Sequence, residues 1–264
     1  MSTYHFADTS LLITVYNRPD SLERQLKAWI QYGVSFGEII VSDDCSPSPS
    51  GERIKEMAGV YGFKLITTPV NKGLGNNLNK GQKAVSLPLT LYVQEDFVPD
   101  DTIGDILTNA HEILEERPDF DMVRFYAYFE YPYMKPLREG FSEMDFNPWY
   151  SGTKKFYFYS DHPHLRRSNF LQKFGKYQEG IKSDATEYRM MINYLQKKGK
   201  AAYYNNHWGA FEQKNSSDEP STINTRVAWR TSNNIFIAFL RGVHQYIKFY
   251  KDYWFSNFYV PADE

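Results

Sequence analysis

Apolar runs punctuate the first hundred residues at regular intervals, at 11–16, 38–42, 63–68 and 89–93. Within each run, apolar and β-branched residues follow one another without polar alternation. That pattern predicts strands covered on both faces, as in a parallel sheet. Between the runs the spacing changes to that of helices. Residues 21–32 put Leu22, Leu26, Trp29 and Ile30 on one stripe, with Pro19 suited to the helix start. Residues 51–61 repeat the register with Ile54, Met57, Ala58 and Tyr61 and stop at Gly62, and 74–86 form a weaker third helix. Strand and helix in alternation predict a doubly wound α/β sheet, whose ligands bind beyond the carboxyl ends of the strands.

The second half is less regular. Helices are predicted over 102–117 and 184–198, and strands over 122–128, 155–160 and 201–205. A Pro- and aromatic-rich loop covers 130–149 and a polar loop covers 213–222. Along 235–259 the residues Ile235, Phe236, Phe239, Leu240, Val243, Tyr246, Ile247 and Tyr250 recur at helical spacing, with Arg241, Lys248 and Lys251 among them. Such a tail packs on the preceding domain or a second subunit, or lies in a membrane interface. The expected division is a main domain over 1–222, with one half to 100 and a second after it, then a helical tail over 223–264.

Composition narrows the function. In 264 residues a net charge of −2 gives no basic footprint for nucleic acid. An aromatic content of 17% leans towards carbohydrate, although aromatic side chains also fill cores. Cys45 is the one cysteine, which fits a reducing compartment. Met1–Ser10 is polar and carries Asp8, unlike a signal peptide, and no apolar run is long enough to span a bilayer. The expected location is the cytoplasm, with peripheral membrane contact or homodimerisation through the tail.

Chemistry gathers at the strand tips. The run at 89–93 leads straight into Gln94-Glu95-Asp96, and the run at 38–42 into Asp43-Asp44. Mg²⁺ commonly takes one or two protein carboxylates and completes its shell with water and phosphate oxygens, so acids here suit a nucleoside diphosphate. A carboxylate at a strand tip also accepts hydrogen bonds from a base or a ribose. Asp184 and Glu187 open the helix at 184, in a pattern that is equally a capping box.

Four segments carry a resemblance. Leu11 to Pro19 looks like the opening strand of family 2 glycosyltransferases of the GT-A fold. Ile39 to Ser46 is similar to that family's nucleotide-binding strand, and Asn71-Lys72-Gly73-Leu74-Gly75 with Asn79-Lys80-Gly81 resembles its next motif. Gln94-Glu95-Asp96 sits where the family carries its Asp-x-Asp metal motif. The resemblance implies a GT-A Rossmann-like sheet and inverting transfer from a nucleotide-sugar donor, UDP-linked, to a glycan or lipid-linked glycan. The failed spacing of a processive-synthase motif, with no membrane helices, points to addition of a single sugar. It implies Asp44 against the base, with Tyr16, Asn17, Arg18, Asp43, Asn71, Gly73, Asn79 and Glu95 around the donor. Asp96 would bind Mg²⁺ or Mn²⁺, joined by His207, while Gln94 departs from the motif by replacing its first acid. The general base falls at the start of a helix upstream of Gly199, on Glu187 or on Asp184 one turn away. His162 and His164 are candidates to face the acceptor, and Arg226 and Trp229 match a processive-synthase motif only faintly. Rival readings are a sugar nucleotidyltransferase, which would need a Gly-rich loop where Asn17-Arg18-Pro19-Asp20 stands, and a non-catalytic carbohydrate-binding protein.

Overall fold

The computed structural model describes residues 3–206, 208–215, 219 and 235–262. The first half contains β1 (Tyr4–Val15), α1 (Pro19–Gln31), β2 (Val34–Asp43), α2 (Ser50–Tyr61), β3 (Lys64–Ile66), α3 (Leu74–Lys83), β4 (Leu89–Gln94), β5 (Phe97–Pro99) and α4 (Ile103–Glu116). The second contains β6 (Met122–Arg124), β7 (Met134–Arg138), β8 (Phe141–Met144), β9 (His164–Arg167), α5 (Phe170–Phe174), α6 (Ser183–Gln196), β10 (Ala201–Tyr204), β11 (Phe211–Gln213) and α7 (Ile235–Phe255).

One sheet runs β3-β2-β1-β4-β9-β6-β10-β8-β7, and β11 pairs with β5 separately. The first four strands are mutually parallel, and β9 and β8 run against the rest. The continuous apolar runs are explained by two cores. Leu11, Ile13 and Val15 of β1 face the helices α1, α2 and α4, while Leu12 between them faces the side covered by α3, α5 and α6. The alternation is therefore between two buried faces, and it leaves no polar trace in the sequence. Helix α3 reaches its face through Gly81, where a Cβ would stand 2.7 Å from Leu12 and 3.0 Å from Ser42.

The register aligns the strand tips. Val15 pairs with Asp43, and Thr14 pairs with Gln94, so the acids after β2 and β4 emerge at one edge. The next amides keep the pattern, Asp44 N–H donating to Val15 and Glu95 N–H to Thr14.

Two expectations are corrected. The strand expected over 155–160 is a 3₁₀ turn, Thr153–Tyr157, because the Lys155 ammonium folds in to donate to Pro148 O and Tyr250 OH. The expected loop over 130–149 contains the hairpin of β7 and β8. Pro136 within it is tolerated because β7 is an edge strand, where a missing N–H costs no ladder bond. Expectations for residues 216–218 and 220–222 of the polar loop, and for Arg226 and Trp229, lie outside the described residues.

Helix α7 docks on the α/β domain formed by the preceding elements. Phe249, 1% exposed, stacks on Phe156 at 4.1 Å and on Tyr253 at 5.6 Å. Gln196 donates to Tyr253 O and Ser256 O, and Tyr188 donates to Asp252. The apolar stripe expected along the tail divides. Tyr246 and Tyr250 pack inward, whereas Leu240, Val243 and Ile247 are exposed. The side chains of Ile235, Phe236 and Phe239 lie outside the described residues. Among the described residues no helix is long and apolar enough to cross a membrane.

If this docking holds the tail, Phe249→Ala lowers stability by about 3 kcal/mol or more, the cost of emptying a packed aromatic site. Ile247→Ala stays within about 0.5 kcal/mol of wild type. Urea denaturation reads both, and equal effects would mean that the inward face is not packed as described.

Candidate active site

The turn after β4 carries Glu95 and Asp96, and buried Gln25 fixes it by donating from Nε2 to Gln94 O (2.7 Å) and Phe97 O (2.6 Å). Arg18, at the exit of β1, is buried against both acids. Its Nη1 lies 2.9 Å from Glu95 Oε1 and 3.3 Å from Asp96 Oδ2, and its Nη2 donates to Asn215 Oδ1 and Glu219 O. Asp96 Oδ2 also accepts from Gln213 Nε2 (2.9 Å), while buried Asp96 Oδ1 has no hydrogen-bond partner among the described residues. Burial, and then the Asp96 charge, push the Glu95 carboxyl up to about 7. An orphaned carboxylate oxygen beside a second acid is a donor set that suits a divalent cation sharing its shell with phosphate. Among the described residues no group of three or more His, Cys, Asp or Glu side chains is arranged to hold a metal by itself. His207 lies outside the described residues.

The tips of β1 and β2 form the adjoining wall. Asn17 takes φ 55°, a conformation Asn tolerates, and its N–H donates to Ser46 Oγ. Asp43 accepts from Ser46 N–H, Ser46 Oγ and Thr67 Oγ1. Asp44 spends one oxygen on Lys72 N–H (2.9 Å) and the other on Gly73 N–H (2.7 Å), latching the turn before α3 to the sheet. Gly73 has φ 82°, which favours glycine. Burial raises the Asp44 pKa despite these bonds. Tyr16 is half-buried, and Asn71 is exposed in the latched turn. Asn79 lies deeper: it donates to Tyr177 O and Glu179 Oε1 and accepts from Tyr177 N–H, so its amide ties α3 to the segment before α6.

The third wall comes from α6 and the segment before β9. Lys182 caps α6, so Asp184 lies in the first turn, exposed, rather than at the cap that a capping box requires. Glu187 is half-buried, and its Oε2 accepts from Asp161 N–H at 3.3 Å. Burial, and then the Asp161 charge, push Glu187 up to about 8, while the Arg124 charge opposes the rise. Asp161 is 1% exposed, accepts from Tyr159 OH (2.8 Å), and keeps Oδ2 without a partner. Burial raises its pKa too. A wholly buried chain supports it: Gln82 accepts from Arg166, Arg166 donates to Tyr177 OH, and the Tyr177 and Tyr159 hydroxyls share a hydrogen bond. Gln94 closes the circuit by donating to Asp161 O at 3.4 Å, so the residue replacing an acid joins the β4 tip to the Glu187 wall.

His162 sits between Tyr126, Tyr128 and Phe97, where burial and then Arg124 push its pKa down to about 3 and leave the ring neutral. His164 is fully buried against Tyr92 and Tyr159, so its ring is not at a surface an acceptor could reach. Asp161, Arg124 and Gln25 went unread in the sequence. Each acquires its role from a partner distant along the chain.

Residues 10–180 match the description "Glycosyl transferase family 2", and the chain belongs to that family. It is 30% identical over 92 residues to the poly-beta-1,6-N-acetyl-D-glucosamine synthase of Staphylococcus epidermidis, an alignment covering 35% of this chain and 22% of the synthase. S. aureus TarS 1–349, solved with UDP-GlcNAc, aligns over 83% of this chain and 62% of its own, at 16% identity and a TM-score of 0.60. The mannosyltransferase PcManGT from Pyrobaculum calidifontis, solved with GDP-Man and Mn²⁺, aligns over 76% of this chain and 55% of its own, at 13% identity and a TM-score of 0.53. These likenesses establish the GT-A fold, with the expected mostly parallel sheet and a helical C-terminal region.

The Glu187 environment makes a stability prediction. The folded state holds this proton more tightly than the unfolded chain does. The resulting stability is fully present below about pH 4.5 and is lost as pH rises through about 8. Thermal midpoints of Glu187→Gln therefore climb relative to wild type between pH 5 and 8.5. A difference that does not change with pH would contradict the buried, raised acid.

Proposed function

We propose that the chain is an inverting glycosyltransferase moving a single sugar from a UDP-linked donor to a hydroxyl of a glycan or lipid-linked glycan. Its setting is polysaccharide or glycoconjugate synthesis in the cytoplasm. The observation that carries this reading is Glu187, a half-buried acid of raised pKa tied through Asp161 and Gln94 to the strand tip bearing Asp96. The nucleotide-sugars in the TarS and PcManGT structures support the donor class, and the Mn²⁺ in the latter supports a divalent cation.

In this mechanism the β1 and β2 tips bind the donor's nucleoside, with Asp44 against the base and Tyr16, Asn17 and Asp43 beside it. The Asp44 latch shapes that wall by fixing the 71–73 turn. Arg18 and Glu95 face the diphosphate. Asp96 offers its unpartnered Oδ1 to Mg²⁺ or Mn²⁺. When bound, the cation neutralises the charge that develops on the departing nucleoside diphosphate. Ionised Glu187 takes the proton of the acceptor hydroxyl as its oxygen bonds to the anomeric carbon and the bond to the diphosphate breaks on the opposite face. Asp161 keeps Glu187 oriented through its N–H and keeps it basic through its charge. A base with its pKa near the working pH is the most effective kind.

Transfer to acceptor and release of UDP from a set of UDP-sugars test this assignment. Glu187→Gln cuts transfer by roughly 10² or more with UDP binding intact, as expected for loss of a general base. In wild type kcat/KM rises with pH and levels above about 8, since only the ionised acid accepts a proton, and Glu187→Gln removes that limb. If Asp184→Asn has these effects and Glu187→Gln does not, the base is Asp184. If neither slows transfer, the pair is structural.

A further inference from the structure

Helix α7 has a second apolar face that the catalytic domain leaves uncovered. At 3.6 residues per turn Val243, Trp254, Ile247 and Leu240 share one stripe beside the docked face, and Ile247 and Leu240 are each 64% exposed. Trp149, 76% exposed, extends this stripe by stacking on Tyr250. Phe255 is 87% exposed at the end of the helix. The next stripe round the helix carries Lys251, His244, Lys248 and Arg241. Asp252 is the acid of this helix, and it turns inward to accept from Tyr188 OH and Ser256 Oγ. It also lies 3.8 Å from Lys248 Nζ, whose ammonium stacks over the Tyr188 ring.

We infer that this outer face of α7 binds an anionic membrane surface, with the aromatic and aliphatic stripe at headgroup depth and the basic stripe against lipid phosphates. An amphipathic helix lying in the interface buries apolar area and adds attraction to anionic headgroups, and this face offers both side by side. A second copy suits it less well. An antiparallel two-fold contact would set the basic stripes of both protomers close together, and like charges repel. Docking in this way need not cover Glu187. Tyr188 turns from α6 towards α7, while Glu187, one residue earlier, turns to Asp161 instead.

Flotation of the full chain with phosphatidylcholine vesicles, with and without phosphatidylglycerol, tests the surface without requiring any turnover. Wild type floats with the anionic vesicles at low salt and is released as salt rises. Ile247→Ser/Trp254→Ser/Phe255→Ser lowers that binding by roughly tenfold or more. Lys251→Gln lowers it about fivefold at low salt, the share of one basic side chain near such a surface. An unchanged thermal midpoint shows that each variant is folded. Wild type remaining with the soluble fraction at low salt would overturn the inference. So would a triple variant that floats like wild type, or a dimer that the triple substitution dissolves while vesicles bind neither protein.

Discussion

Arg18 carries a buried positive charge between Glu95 and Asp96, and the rest of the site is arranged around that triad. Two carboxylates taken out of water within reach of one another repel. The guanidinium offsets part of that repulsion while leaving Glu95 with a pKa near 7 and Asp96 with an unpartnered oxygen. The same guanidinium reaches Asn215 and Glu219 O, and the Glu219 carboxylate accepts the N–H groups of Asp20 and Ser21 at the start of α1. Lys214 N–H donates to Asp96 O. One charge centre thus ties the exits of β1 and β4 to the chain following β11. A divalent cation arriving with a diphosphate would address the same acids, which would couple donor binding to Asn215 and Glu219 through Arg18.

The remaining walls supply what that centre lacks. Parallel register brings the tips of β1, β2 and β4 level, so backbone pairing rather than side-chain choice sets where the acids emerge. Asp44 uses its carboxylate to hold the 71–73 turn, and Gln94 forgoes charge to hold Asp161. Asp161 in turn fixes Glu187 by its N–H and adds its charge to the burial that raises the Glu187 pKa, while the buried Gln82–Arg166–Tyr177–Tyr159 chain steadies Asp161 from behind. Net burial of acid is what the site has in excess, which suits a substrate bringing its own cation.

The first hundred residues were legible because strands buried on both faces read as unbroken apolar runs and their turns fall at the ligand edge. The second half was not, and particular residues show why. Strand β9, His164–Arg167, is half basic, yet its Arg166 is wholly buried by pairing with Gln82 and Tyr177, partners that periodicity does not reveal. Strand β7 contains Pro136, a loop signal that an edge position cancels. Lys155 disguised a buried 3₁₀ turn as a strand. At the site, Glu187 was readable by its helix position, but the choice between cap and inward acid depended on where α6 starts. Asp161 carried no local pattern and was recognisable only once Glu187 stood against its N–H.

Calorimetric titration of UDP into the protein, with Mn²⁺ and with the cation chelated, tests the central claim that the strand-tip acids form a cation-dependent donor site. The account predicts that Mn²⁺ tightens UDP binding by roughly tenfold or more, an increment that Asp96→Ala abolishes while the fold survives. Equal affinity with and without the cation, or an Asp96→Ala protein that keeps the full Mn²⁺ increment, would contradict it.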